Sequence, residues 1–257
     1  MSIFKKEQDL SQSYVNQRRL LLNSHTPFHI QEAYRTLQIN LRFSLPGDDA
    51  KVICLTSGHS SEGKSTTVLN LAISFAESGK KVLLIDGDMR RPSLGRLLIE
   101  KSSPGLSNLL AGLCTMEQAI RRDIRPRLDV IFSGEIPPNP SELLGSSRMK
   151  KLIDRLSEFY DYILVDAPPV GIVTDACVVA KSLDGMLFLV RQNKTEKETL
   201  ARCLRQIKNA DVRLMGFVLN GTQGEGGSQY KYNYRSKNKY SYESVGKPQK
   251  EKKKTSK

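Results

Sequence analysis

The chain has 257 residues, 39 % of them hydrophobic, enough for one domain with an ordinary core. No apolar run approaches the length that spans a bilayer, and the opening MSIFKKEQDLSQ lacks the apolar stretch of a signal peptide, so a cytoplasmic protein is expected. A net charge of +13 invites a nucleic-acid reading, but residues 224–257 alone carry nine Lys and one Arg against Glu225, Glu243 and Glu251, a net of +7. The rest of the chain is mildly basic, and no specific nucleic-acid partner is expected. Cys54, Cys114, Cys177 and Cys203 stand far apart in no metal-ligand spacing, and His25, His29 and His59 form no cluster. Reduced thiols follow, mostly in apolar surroundings.

Residues 1–27 are polar, show no sustained periodicity, and read as a mobile arm. Thr26-Pro27 then marks a helix start, with a capping hydroxyl and proline at the first helical position. Ile30, Ala33, Tyr34, Leu37 and Leu41 follow at spacings of three and four, and Pro46-Gly47 ends the helix. From Lys51 short apolar runs alternate with amphipathic stretches. The runs are VICLTS, KVLLID, LDVIFSG, YILVDAPP, GMLFLV and RLMGFVLNG; the amphipathic segments include 65–78, 146–159 and 195–209. Strands without interleaved polar residues are buried on both faces, as in a parallel sheet with crossover helices. The fold class expected over 28–222 is therefore α/β, a doubly wound and mostly parallel sheet with helices on both faces. Residues 223–257, beginning in a Gly-rich linker and almost free of aliphatics, read as a flexible basic tail.

Gly58-His-Ser-Ser-Glu-Gly63-Lys64-Ser65 fits G-x-x-x-x-G-K-[ST] between an apolar strand and a helix, the context that gives the motif its meaning. Its glycines let backbone N–H groups close around phosphates, and the helix N-terminus adds its positive dipole end. Lys64 then reaches the β- and γ-phosphates and the Ser65 hydroxyl binds Mg²⁺. Gly58, Ser60, Ser61, Glu62, Gly63, Lys64, Ser65 and Thr66 are the expected ATP contacts. Two further strands end in carboxylates, LLID86-Gly-Asp88 and YILVD166. Ligands of open α/β sheets bind at the carboxyl ends of strands, so the three elements are expected to converge, with Asp166 placed to serve a Mg²⁺–nucleotide.

Together these residues resemble the bacterial tyrosine kinase family that accompanies capsule and exopolysaccharide synthesis, whose fold is related to the MinD/ParA ATPases. The resemblance rests on the loop at 58–65, LLIDGDMRRP at 83–92, ILVDAPP at 163–169 and SGEIPPNPSELL at 133–144. It implies that Asp88 and Asp166, with Ser65, hold the metal, and that Asp86 accepts the tyrosine proton, making Lys64, Asp86 and Asp88 the catalytic set. It also implies that Asn220 contacts the adenine. MinD/ParA proteins carry a lysine where this chain has His59, which favours the kinase branch. The family's first-helix motif E-x-x-R-x-x-R, which assembles subunits, is matched by Glu32 and Arg35 but not by Gln38.

Tyr230, Tyr232, Tyr234, Tyr240 and Tyr242 are five of the nine tyrosines, gathered within thirteen residues. As phospho-acceptors they lie within reach of a neighbouring subunit, since nineteen flexible residues span on the order of 24 Å. Phosphorylating all five would add roughly −8 to −10 charges and overturn the tail's positive balance. The expected reading is an ATP- and Mg²⁺-dependent protein tyrosine kinase that autophosphorylates this cluster between subunits and regulates capsule or exopolysaccharide synthesis. Its expected partners are a membrane adaptor supplying a cytoplasmic segment, further copies of itself, protein tyrosine substrates and a tyrosine phosphatase. The adaptor would recruit it to the inner face of the membrane. The alternatives are a MinD/ParA-like positioning ATPase and a non-catalytic nucleotide switch.

Overall fold

A computed structural model describes residues 16–222 apart from 46, 48 and 49. All six apolar runs form strands: β1 (Lys51–Ser57), β2 (Val82–Asp86), β4 (Leu128–Ile131), β5 (Tyr162–Asp166), β6 (Gly185–Arg191) and β7 (Leu214–Asn220). The seventh strand, β3 (Ile120–Arg125), pairs antiparallel with β4 at one edge, and the order is β3-β4-β2-β5-β1-β6-β7. Every other pairing is parallel. The sequence IRRDIR gives β3 no apolar signature, because an edge strand need not be buried on both faces. β1, β2 and β5 occupy the middle of the sheet, where β2 and β5 are buried at every residue.

α1 (Phe28–Ser44) and α2 (Lys64–Glu77) pack on one face of the sheet. α2 buries Val68, Leu69, Leu71, Ala72, Ile73 and Phe75, with the polar Asn70 and Ser74 buried among them, and Phe75 stacks on Tyr162 of β5 with ring centroids 3.9 Å apart. Five short helices follow: α3 (Leu94–Leu98), α4 (Leu106–Ala111), α5 (Met116–Ala119), α6 (Pro140–Leu144) and α7 (Ser147–Leu156). α8 (Asp175–Ala180) and α9 (Lys197–Asn209) complete the set. On α7 and α9 the buried residues fall at spacings of three and four, Met149-Leu152-Ile153-Leu156 and Thr199-Cys203-Ile207, so one stripe of each faces the core. Burying a side chain such as Ile153 or Ile207 contributes about 1.5–3 kcal/mol apiece. Cys54, Cys177 and Cys203 lie in this second core layer as free thiols, and burial raises the Cys54 pKa to about 12. No helix among the described residues is long and apolar enough to cross a membrane.

α1 starts one residue later than the sequence suggests. Pro27 occupies the cap position, and the Thr26 hydroxyl accepts from the Asn23 N–H at 2.9 Å instead of closing the helix. Gln38 explains the broken first-helix motif. It is 5 % exposed, donates to Ser78 Oγ at 2.7 Å and accepts from Ser74 Oγ at 3.1 Å, tying α1 to α2 within one subunit. Glu32 and Arg35 pair with each other on the same helix at 3.3 Å.

The segment before α1 was expected to be a mobile arm, yet its described part is docked. Leu21 and Leu22 are buried, Asn70 Oδ1 accepts from Leu22 N at 2.8 Å and Asn70 Nδ2 donates to Leu20 O at 2.9 Å. Arg125 Nη1 donates to Leu22 O at 3.0 Å from β3. Two apolar side chains and a buried amide therefore hold a stretch whose sequence has no periodic signal. Asn70→Ala should release it: we expect a loss of about 2–3 kcal/mol for two buried hydrogen bonds and new proteolytic cleavage within residues 16–26, read by denaturant unfolding and mass spectrometry.

Candidate functional site

Parallel register brings the acidic residues together. Asp86 and Asp166 end β2 and β5 as direct partners across the pair, and Asp166 also lies beside Leu55 of β1. Neighbouring strands are about 4.8 Å apart, so like charges face each other at short range. Both carboxylates are fully buried, and Asp88 is 7 % exposed. The loop after β1 supplies the counter-charge. Lys64, first residue of α2, places Nζ 2.6 Å from Asp166 Oδ1 and 3.8 Å from Asp88 Oδ2.

One lysine cannot balance three carboxylates. Burial first, then Asp166, raises the Asp86 pKa to about 8, against the lowering effect of Lys64. Burial raises the Asp88 pKa as well. Burial alone would lower the Lys64 pKa, but Asp166 and Asp88 outweigh it and the ammonium is held charged. Asp86 accepts from Asp88 N at 3.3 Å and from Leu94 N at 3.2 Å, whereas Asp166 Oδ2 is buried with no partner.

The glycine-rich loop is tightly determined. Ser61 and Gly63 both have left-handed backbones, with φ of 61° and 98°. The backbone angle favours glycine at 63, and a Cβ there would also push on Asn220 Nδ2, 2.3 Å away, and its bond to the loop. Asn220, at the end of β7, donates from that nitrogen to Glu62 O at 2.8 Å. Ser65 and Thr66 sit half-buried on the first turn of α2, and Ser60 and Ser61 lie on the outer rim. Gly58, Ser60, Ser61, Gly63, Lys64, Ser65, Thr66, Asp86, Asp88, Asp166 and Asn220 thus gather at one end of the sheet. Glu62 belongs to the loop too, but its carboxylate is fully buried and faces inward. Tyr230, Tyr232, Tyr234, Tyr240 and Tyr242 lie outside the described residues.

Sequence reasoning missed a clamp beside the aspartate pair. Arg90 donates from Nε to Asp175 Oδ2 at 2.8 Å and from Nη2 to Asp175 Oδ1 at 3.2 Å and Ser141 Oγ at 3.2 Å. Ser141 in turn donates to Asp175 Oδ1. Burial would raise the Asp175 pKa, but the Arg90 and Ser141 hydrogen bonds prevail and lower it. Arg90 lies two residues past Asp88 and Ser141 sits in NPSELL, so three separate segments are joined around the site. The available signal was the arginine inside GDMRRP, which has no local partner.

A carboxyl whose folded-state pKa lies above its unfolded value binds its proton more tightly when folded, so stability falls as pH rises between the two values. For Asp86 the window runs from about 4 to about 8. Asp86→Asn should flatten that decline, worth up to about 1.4 kcal/mol per pH unit, and become the more stable protein near pH 8. Chemical denaturation at pH 5, 6.5 and 8 measures it; equal slopes in the two proteins would contradict the charge balance described above.

Residues 50–215 match the family described as an AAA domain. The tyrosine-protein kinase YwqD of Bacillus subtilis (strain 168) is 39 % identical over 201 residues, 78 % of this chain and 85 % of that protein. The kinase domain of the Escherichia coli tyrosine kinase ETK superposes with a TM-score of 0.72 and 33 % identity, covering 75 % of this chain and 76 % of that one. The septum site-determining protein MinD of Pyrococcus horikoshii OT3, solved with Mg-ADP, gives a TM-score of 0.55 and 25 % identity over 66 % and 70 % of the two chains. The doubly wound sheet is thus shared with MinD, while the length and identity of the match to YwqD place the chain more narrowly: it belongs to the family of bacterial tyrosine-protein kinases.

Proposed function

We propose that the chain is an ATP-dependent protein tyrosine kinase that phosphorylates its own C-terminal tyrosine cluster, one subunit acting on another, in the service of capsule or exopolysaccharide synthesis. The observation that carries the reading is the meeting of Lys64 with Asp86, Asp88 and Asp166 at the mouth of a glycine-rich loop. Among the described residues no group of three or more His, Cys, Asp or Glu is arranged to hold a metal alone. Mg²⁺ does not require one: it takes one or two carboxylates, keeps several waters, and shares the substrate's phosphates. The unpartnered, buried Asp166 Oδ2 is an acceptor of the kind that fits a metal-bound water.

In this reading Ser65, Asp88 and Asp166 hold Mg²⁺, and Gly58 to Thr66 hold the phosphates, with Asn220 at the adenine. Bound Mg²⁺–ATP supplies the γ-phosphoryl group and most of the charge neutralisation its transfer needs. Lys64 has three donors and gives its one short bond to Asp166, so donors remain for phosphate oxygens. Asp86 accepts the proton of the tyrosine hydroxyl, a group with a pKa of about 10 that stays protonated at neutral pH. Because Asp86 ionises near 8 in the charge balance seen here, any added positive charge beside it lowers that value.

Tyr230, Tyr232, Tyr234, Tyr240 and Tyr242 are the proposed acceptors. Glu32 and Arg35 are proposed to serve subunit assembly, weakened by the inward use of Gln38. A membrane adaptor completes the picture, recruiting the kinase to the inner membrane face; other protein tyrosines are its external substrates, and a tyrosine phosphatase reverses the modification. The fold shared with MinD supports a second reading, a positioning ATPase.

Incubation with Mg²⁺–ATP, with and without an adaptor segment, followed by mass spectrometry, separates the two. Phosphate on the tail tyrosines is expected, reduced at least a hundredfold in Lys64→Met, a loss of about 2.7 kcal/mol or more in transition-state stabilisation. A Lys64→Met protein mixed with a catalytically intact variant carrying phenylalanine at the five tyrosine positions should be phosphorylated on its own tail. ATP hydrolysis with an unmodified tail would move the assignment to the ATPase.

A further inference from the structure

The glycine-rich loop is held from outside by the segment that follows β6. Glu62 is the junction. Its carboxylate is fully buried, Oε2 accepts from His59 N at 2.9 Å, and Oε1 accepts from Thr195 Oγ1 at 2.5 Å. Thr195 is itself fixed, since its hydroxyl oxygen accepts from Arg191 N at 2.8 Å. Lys194 Nζ donates to Ser61 O at 2.9 Å, and His59 Nε2 lies 3.3 Å from Thr199 Oγ1. Lys194 and Thr195 of the connection after β6, with Thr199 on the first turn of α9, thus hold Ser61, Glu62 and His59 of the loop.

A buried carboxylate inside a polyanion-binding loop needs a reason. Its charge opposes phosphate binding, so its own contribution to affinity through space is unfavourable. What it returns is conformation. By drawing the His59 N–H inward it fixes the turn after β1, and the cradle is then lined by the N–H groups that follow. Ser61 in a left-handed backbone costs of order 1 kcal/mol or more and persists only where neighbouring contacts over-determine it. Lys194 supplies such a contact at the Ser61 carbonyl and Thr195 another at the side chain of the next residue, Glu62.

We infer that Thr195 is a positioning residue for the phosphate site, acting through the Glu62 carboxylate to hold the loop in its anion-binding shape. The inference rests on the reading of residues 58–65 as the phosphate cradle, and it extends that site to a segment with no recognisable motif. A hydroxyl that both accepts from Arg191 N and donates to Glu62 couples the loop to the last residue of β6. Valine at 195 keeps the volume and β-branching but removes the donor; serine restores it.

The test is binding of Mg²⁺–ADP to the full chain by isothermal titration calorimetry, with steady-state kinetics for Mg²⁺–ATP alongside. Thr195→Val should weaken Mg²⁺–ADP about tenfold and raise KM similarly, with kcat within twofold, while Thr195→Ser returns both to within threefold of wild type. Glu62→Gln should act on the same bond, so the Thr195→Val/Glu62→Gln double variant should bind no more than twofold worse than the weaker single variant. Wild-type-like affinity in Thr195→Val, or fully additive losses in the double variant, would overturn the coupling. Failure of the wild-type chain to bind Mg²⁺–ADP at all would instead remove the phosphate-site reading on which it depends. Thermal unfolding without nucleotide guards against a general loss of fold: a Thr195→Val binding defect that Thr195→Ser does not rescue, accompanied by a lowered midpoint, also counts against the inference.

Discussion

Three carboxylates and one ammonium share a space closed to water, and most of the molecule can be understood as the means of keeping them there. Asp166 gives its Oδ1 to Lys64 at 2.6 Å and leaves Oδ2 without a partner. Asp86 is buried beside them, and burial first, then the Asp166 charge, pushes its pKa up to about 8 against the pull of Lys64. Such an arrangement is unfavourable for folding, because each uncompensated buried charge costs several kcal/mol. It persists because the surrounding core is deep and rigid. β2 and β5 are buried along their whole length, and α2 carries Lys64 at its first position and buries Val68, Leu69, Leu71, Ala72, Ile73 and Phe75 behind it. Stability is spent in the middle of the sheet to hold a reactive edge in place, the usual pattern where function and local rules conflict.

Two sets of hydrogen bonds then translate the rigid core into loop geometry, one on each flank. Arg90, Asp175 and Ser141 join the segment after β2 to α8 and α6. Glu62, Thr195 and Lys194 join the segment after β1 to the one after β6. Asn220 adds a third tie from the end of β7 through its bond to Glu62 O. The site is therefore distributed over most of the sheet, although the sequence advertises it mainly in three short motifs.

That difference marks the limit of what could be read from the residues alone. Strands buried on both faces leave continuous apolar runs, and a phosphate loop must have glycines at fixed spacing, so the sheet and the residues 58–65, 86, 88 and 166 were legible. β3 was not, since an edge strand of sequence IRRDIR satisfies only one buried face. The docking of residues 20–22 was hidden because it depends on Asn70, 48 and 50 residues away, and on two leucines without periodicity. Glu62 was read as a ligand contact from its place in the motif, and nothing in that motif signalled the second, inward use of its carboxylate. Arg90–Asp175 and Thr195–Glu62 are pairs 85 and 133 residues apart in the chain. Neither partner alone carries a pattern, and only the fold brings them within bonding distance.

The register of β2 against β5 sets an unusual condition on how such a sequence can change. Val82 faces Tyr162 and Asp86 faces Asp166, so both strands reach their terminal carboxylate after the same number of residues. Interior side chains along the way can exchange for others of similar volume at modest cost. Strand length has no such tolerance. One residue inserted into or deleted from either strand would turn its aspartate to the opposite face of the sheet, away from Lys64, with the hydrophobic pattern inverted along with it. Drift in this lineage can therefore run through substitution inside the central strands, while insertions and deletions are confined to the connections between them.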